Sequence, residues 1–77
     1  MADKLIGLFS DVLSVPANGL NDDSSPDTVD TWDSLSAMHL VTAIEATFSV
    51  QLSTREIMRM SSIGLARSAL REKGVDV

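Results

Sequence analysis

Cysteine is absent from the 77-residue chain, which at once removes disulfide bridges, thiolate metal ligands and a cysteine nucleophile. Histidine occurs once, at His39, so neither a histidine-activated nucleophile pair nor a zinc shell can be assembled, and no metal site is expected. No apolar run approaches the roughly 18 residues of a membrane span. The opening Met1-Ala2-Asp3-Lys4 lacks the basic start and apolar stretch of a secretory signal, and the expected location is cytoplasmic. Lysine and arginine are missing between Lys4 and Arg55, while Asp11, Asp22, Asp23, Asp27, Asp30, Asp33 and Glu45 lie in that interval. With a net charge of −5, this argues against a nucleic-acid partner, which needs cations against phosphate, and for partners with basic surfaces. The glycines at 7, 19, 64 and 74 are scattered and build no phosphate cradle. A calcium loop beginning at Asp23 also fails, because Thr28 stands where the turn glycine belongs and Ser34 where the terminal glutamate belongs.

A chain this short forms one domain, residues 1–77, burying about 60% of its unfolded surface, and 44% hydrophobic residues suffice for a core. Leu5, Leu8, Phe9 and Val12 fall at i, i+3, i+4 and i+7, which predicts a helix over about Asp3 to Ser14. Pro16, Asn18 and Gly19 break it, and the Ser- and Asp-rich stretch to Asp33 reads as a long ordered loop pinned by Leu20, Val29 and Trp32. Asp33 then caps a second helix, Ser34 to Phe48, with Leu35, Met38, Val41, Ile44 and Phe48 at helical spacing over about 22 Å. Ser53 and Glu56 form a capping box that opens a short third helix through Ile57 and Met60. A fourth restarts at Ser61 or Ser62, carries Ile63, Ala66, Ala69 and Leu70, and stops at Lys73-Gly74. The fold class is therefore all-α: a small four-helix bundle of three longer helices and one short one, with a long loop between the first two.

Equipment for catalysis is not visible, and the chain is not expected to be an enzyme. Ser34, however, directly follows the capping Asp33 in the first turn of the best helix. Its hydroxyl is reachable there, and the helix dipole stabilises a phosphate. Within Thr31-Trp32-Asp33-Ser34-Leu35-Ser36-Ala37-Met38, the Asp-Ser-Leu tripeptide resembles the attachment motif of acyl carrier proteins. The likeness runs nearly end to end. It takes in the small acidic cysteine-free chain, the long loop, Leu40-Val41 through Ile44-Glu45 to Phe48, and the short helix after Leu52.

This resemblance implies a carrier whose Ser34 receives 4′-phosphopantetheine from coenzyme A through a phosphopantetheinyl transferase. The thiol of the arm holds acyl groups as thioesters and passes them between enzymes of a fatty-acid, polyketide or other specialised pathway. Asp33 and Leu35 would flank the attachment residue in the transferase contact, and Met38, Trp32 and Glu45 would take part in partner recognition. Val41, Ile44, Leu52, Ile57, Met60 and Ile63 form the core stripe and double as an apolar sleeve for an acyl chain. Further partners are acyl-loading and acyl-transferring enzymes with basic docking surfaces, and the carrier is expected to be monomeric. Ser36, His39, Thr42 and Ala46 occupy positions where fatty-acid carriers usually show acids, and Trp32 resembles specialised or peptidyl carriers, which favours a specialised member. The alternatives are an aminoacyl or peptidyl carrier and, from another class, an acidic helical docking module without a prosthetic group.

Overall fold

A computed structural model describes residues 3–77, so Met1 and Ala2 of the expected domain lie outside the described residues. Helix α1 spans Lys4–Leu13, α2 Ser34–Phe48, α3 Thr54–Arg59 and α4 Ile63–Glu72, with one 3-10 turn at Ala17–Gly19. Among the described residues there is no strand. α1 packs against both α2 and α4, and α3 packs against α4. Phe9, Leu5, Leu13, Leu40, Ile44, Ile63 and Leu70 are the largest side chains fully withdrawn from solvent, so each of the three longer helices contributes to one core.

Each helix starts where a short polar side chain replaces missing helical hydrogen bonds. Asp3 accepts from the N–H groups of Leu5 and Ile6, Asp33 from Ser36, and Ser62 from Leu65. The capping box at α3 is complete: the Ser53 hydroxyl accepts from the Glu56 N–H, and the Glu56 carboxylate accepts from the Ser53 N–H at 2.9 Å. α1 ends earlier than the Pro16 break requires, because Ser14 enters the left-handed region at φ 57°, and Ser49 ends α2 in the same way at φ 55°. Both are positions that glycine occupies with least strain.

The long loop is ordered, and its three expected anchors are all buried: Leu20 and Val29 at 7% exposure and Trp32 at 6%. Between the anchors, the Ser24 hydroxyl accepts from the Asn21 N–H and the Thr28 hydroxyl accepts from the Ser25 N–H, closing two local turns. The loop is also tied to the start of α4. Ile63 N–H donates to the Ser24 carbonyl at 3.1 Å and Gly64 N–H to the Asp22 carbonyl at 2.9 Å. A Cβ at Gly64 would stand 3.0 Å from that carbonyl oxygen and 3.2 Å from the Asp22 Cβ, so close docking here needs glycine.

Arg67 completes the tie. Its side chain is only 11% exposed, and its guanidinium donates to Asp3 Oδ2 at 2.7 Å and to Asp22 Oδ1 at 2.9 Å, joining α4 to the cap of α1 and to the loop. A guanidinium shared by two carboxylates suits this three-way junction, since its planar fork can donate in several directions at once. Those hydrogen bonds from Arg67 hold the Asp3 carboxyl below the ordinary value of 3.8, with burial opposing.

Two stability tests follow from these contacts. Gly7 in α1 has open space around its would-be Cβ, so Gly7→Ala should raise stability by about 0.5–1 kcal/mol through helix propensity. Gly64→Ala should bring no such gain, because the new methyl presses on backbone; thermal melting of the pair checks the contrast. Because the Asp3 carboxyl titrates lower folded than unfolded, its contribution is present above 3.8 and is lost as the pH falls through the depressed value. Melting temperature against pH should therefore drop less steeply on the acid side for Asp3→Asn, which starts lower at neutral pH, than for the wild type.

Candidate functional site

The site is built outward from the start of α2. Asp33 adopts an extended backbone as its N-cap, and its carboxylate accepts from the Ser36 N–H at 2.9 Å. That bond holds the Asp33 carboxyl below its ordinary range, so the residue is ionised at neutral pH. The Ser36 hydroxyl turns back to donate to the Thr31 carbonyl at 2.7 Å, fastening the end of the loop to the first turn of the helix. Ser34 is the first residue of α2 and is exposed, and none of these bonds uses its hydroxyl. The oxygen is thus presented at the positive end of a 15-residue helix.

What fixes that presentation is Trp32, two residues earlier. Its ring packs on Phe9 of α1 with centroids 5.3 Å apart and planes tilted by 59°, a geometry aromatic pairs favour. The indole is a core anchor, as expected of a residue that pins the loop, and what remains accessible borders a shallow depression of about 310 Å³ shared with Pro26, Asp33, Ser34 and Ala37. Glu45 also has a role within the fold. It is half-buried, and its carboxylate accepts from the Leu52 N–H at 2.9 Å, organising the turn between α2 and α3. Of the expected recognition residues, Met38 projects freely at 69% exposure, and Leu35, expected beside the attachment point, does so at 63%.

An apolar groove of about 250 Å³ is lined by Ala37, Met38, Val41, Thr42 and Ile57. Ser34, Met38 and Val41 stand at i, i+4 and i+7, so the hydroxyl heads the same helix face that lines the groove. The six expected sleeve residues divide. Ile44, Ile63 and Leu52 are buried core, Val41 and Met60 are half-buried, and Ile57, at 37% exposure, belongs to the groove rather than the interior. Beneath the groove, Val41, Ile57 and Met60 meet Phe9, Trp32 and Leu40 around a cavity of about 30 Å³, far smaller than an acyl chain. Ile57 is therefore corrected from core stripe to groove wall. A six-residue helix lying on the bundle buries none of its residues.

No chemistry of its own is assembled around Ser34. His39 is exposed five residues further along α2, which places it about 7.5 Å along the axis and about 140° around it. Asp33 is engaged as a cap, and no cluster of potential metal ligands occurs among the described residues. A reachable hydroxyl, a helix dipole that stabilises a phosphodiester, and an open depression bordered by Ser34 fit a phosphate-linked arm.

Four helices, a long tethered loop and a capped serine at the head of α2 define a carrier-type bundle. A family model described as the phosphopantetheine attachment site matches residues 3–65, and the chain belongs to this family of phosphopantetheine-dependent carriers. Its prosthetic group is covalently bound 4′-phosphopantetheine. No curated protein matches the sequence.

Sequence reasoning missed Arg67 and Gly64, which position the loop that leads into the site. The close approach of Asp22 to Gly64 spans more than forty residues and leaves no local pattern. Trp32→Ala should cost about 3–5 kcal/mol, as large aromatic truncations in cores do, whereas Trp32→Phe should retain most of the stability. Chemical denaturation of both variants checks this.

Proposed function

We propose that residues 1–77 act as one acyl-carrier domain whose Ser34 takes 4′-phosphopantetheine from coenzyme A. On this reading the domain carries acyl groups as thioesters between enzymes of a fatty-acid, polyketide or other specialised biosynthetic pathway. The supporting observation is the exposed Ser34 hydroxyl in Asp33-Ser34-Leu35 at the start of α2, within the region matched by the family. The Ser34 oxygen forms the new bond to phosphorus, its proton passes to a base of the transferase, and the remainder of coenzyme A leaves. Asp33 and Leu35 are the neighbours read by the transferase, with Asp33 also keeping the helix start in register. When bound, the group supplies a thiol on a long arm. Because this chain has no cysteine, no protein thiol competes for the cargo.

The chain itself catalyses nothing on this reading; it raises the effective concentration of cargo at partner active sites. It works as a cytoplasmic monomer, and the acidic loop meets basic surfaces on loading and transferring enzymes. The buried Trp32 and the lack of acidic residues among the exposed positions of α2 favour a specialised pathway over general fatty-acid synthesis.

Intact mass after incubation with coenzyme A and a broad-specificity phosphopantetheinyl transferase tests the assignment. The wild type should gain one phosphopantetheinyl group, and Ser34→Ala none. Melting of Ser34→Ala should stay close to wild type, because Asp33 still caps α2. An unmodified wild type, or an equally modified Ser34→Ala, overturns the reading. Efficient loading only by an adenylating amino-acid enzyme would instead make it an aminoacyl or peptidyl carrier.

A further inference from the structure

Ser34 and Ala37 stand at i and i+3 on α2 and line the same depression, which Pro26 and Trp32 wall from the side of the loop. The loop holds that wall in place. Pro26 is second in a four-residue turn, Ser25 to Thr28, in which the Thr28 N–H donates to the Ser25 carbonyl and the Ser25 N–H to the Thr28 hydroxyl, each at 3.0 Å. The Val29 N–H donates to the same carbonyl at 2.9 Å and the Trp32 N–H to the Val29 carbonyl at 3.0 Å, so the turn is linked step by step to the buried indole. A volume of about 310 Å³ between such walls lies at the lower end of small-molecule sites, which begin at about 300 Å³.

Pro26, Trp32 and Ala37 offer apolar surface, and Asp33 is the one charged residue of the lining. Its Oδ1 is taken by the Ser36 N–H, and a carboxylate has further lone pairs with which to accept from a donor. Such a lining repels a phosphate placed within it and suits a neutral chain that alternates methyl groups with hydroxyl and amide donors. Pantetheine has that chemistry: a gem-dimethyl carbon next to its phosphate end, then a hydroxyl and two amides. We propose that the depression is a resting site for the pantetheine portion of the arm on Ser34, its methyl groups against Pro26 and Ala37 and its hydroxyl or first amide N–H donating to Asp33. This rests on the carrier reading and deepens it by giving the neutral part of the prosthetic group its own place on the protein. The occupant is the arm rather than a free metabolite because Ser34, the point of attachment, is itself part of the lining. A group tethered there is present at millimolar effective concentration, so a contact of only millimolar strength is about half occupied. The groove with Met38 and Ile57 does not include Ser34. So weak a contact yields to any partner enzyme that binds the arm more tightly.

The test compares isotope-labelled full-length chain before and after modification with unlabelled coenzyme A and a phosphopantetheinyl transferase. In the modified chain, nuclear Overhauser contacts from the methyl protons of the arm should reach the Pro26 ring and the Ala37 methyl group. Amide shifts should appear at Asp27 and Thr28, too far along the chain from Ser34 for the new bond to act through covalent structure. In modified Pro26→Ala, loss of roughly one methylene of contact should lower occupancy from about half to about one fifth, and the contacts at Ala37 should weaken about 2.5-fold. Melting and the Trp32 indole resonance of the unmodified variant show whether the turn is intact; if it is not, the wild-type contacts decide alone. Arm contacts confined to Met38, Val41 and Ile57, no arm contact with the protein, or undiminished contacts at Ala37 in folded Pro26→Ala would each overturn the proposal. Intact mass of the same wild-type sample separates the two readings: a modified chain without contacts at Pro26 and Ala37 sinks the resting site alone, and an unmodified chain sinks the carrier reading and the resting site with it.

Discussion

The contact between Trp32 and Phe9 is the constraint on which the rest of the site depends. A loop from Ser14 to Asp33 joins α1 to α2, and a segment of that length has many ways to enter a helix. Burying the indole against α1 selects one of them, two residues before Ser34. From there the path is set by short bonds: Ser36 to Thr31 closes the corner, and Asp33 caps the helix. The hydroxyl is displayed beside Asp33, which is engaged as the cap, while Ser36 is bonded back to Thr31. A rigid support beneath a reachable group is what a carrier requires, since its partners must find the same atom each time.

Electrostatics divides the molecule into two jobs. Arg67 lies nearly buried between Asp3 and Asp22 and spends its charge inside the chain, tying together α1, the loop and α4. Lys73 does the same for Glu56 across α3 and α4. What remains outward is therefore not the average of the composition: acidic along the loop, without carboxylates along the exposed side of α2, and cationic on α3. A net charge of −5 describes none of these surfaces well.

Much of this was legible in the sequence because the governing interactions are local. The bounds of α2, the capping box of Ser53 and Glu56, and the burial of Leu20, Val29 and Trp32 follow from spacing and capping chemistry within a few residues. Ser34 was marked by its place after Asp33. The unread features depend on partners distant in the chain or on backbone choices without a residue signature. Gly64 looked like any helix glycine until Asp22 came against it, and Ser14 and Ser49 hold conformations that the sequence would assign to glycine. Trp32 was expected both to pin the loop and to take part in recognition, and Glu45 to take part in recognition; the structure shows Trp32 buried and Glu45 bonded to the Leu52 N–H. Large aromatic and half-buried acidic side chains near a site can serve it from beneath as readily as from the surface.

The shortness of α3 has a consequence for how the interior is reached. None of its six residues is buried, so lifting it away exposes little apolar surface compared with freeing any of the longer helices. It is the wall whose local opening demands the least of global stability, and it stands directly over the small void beneath the groove. The bundle thus has a cheapest direction in which to breathe, and that direction faces the groove that Ser34 heads.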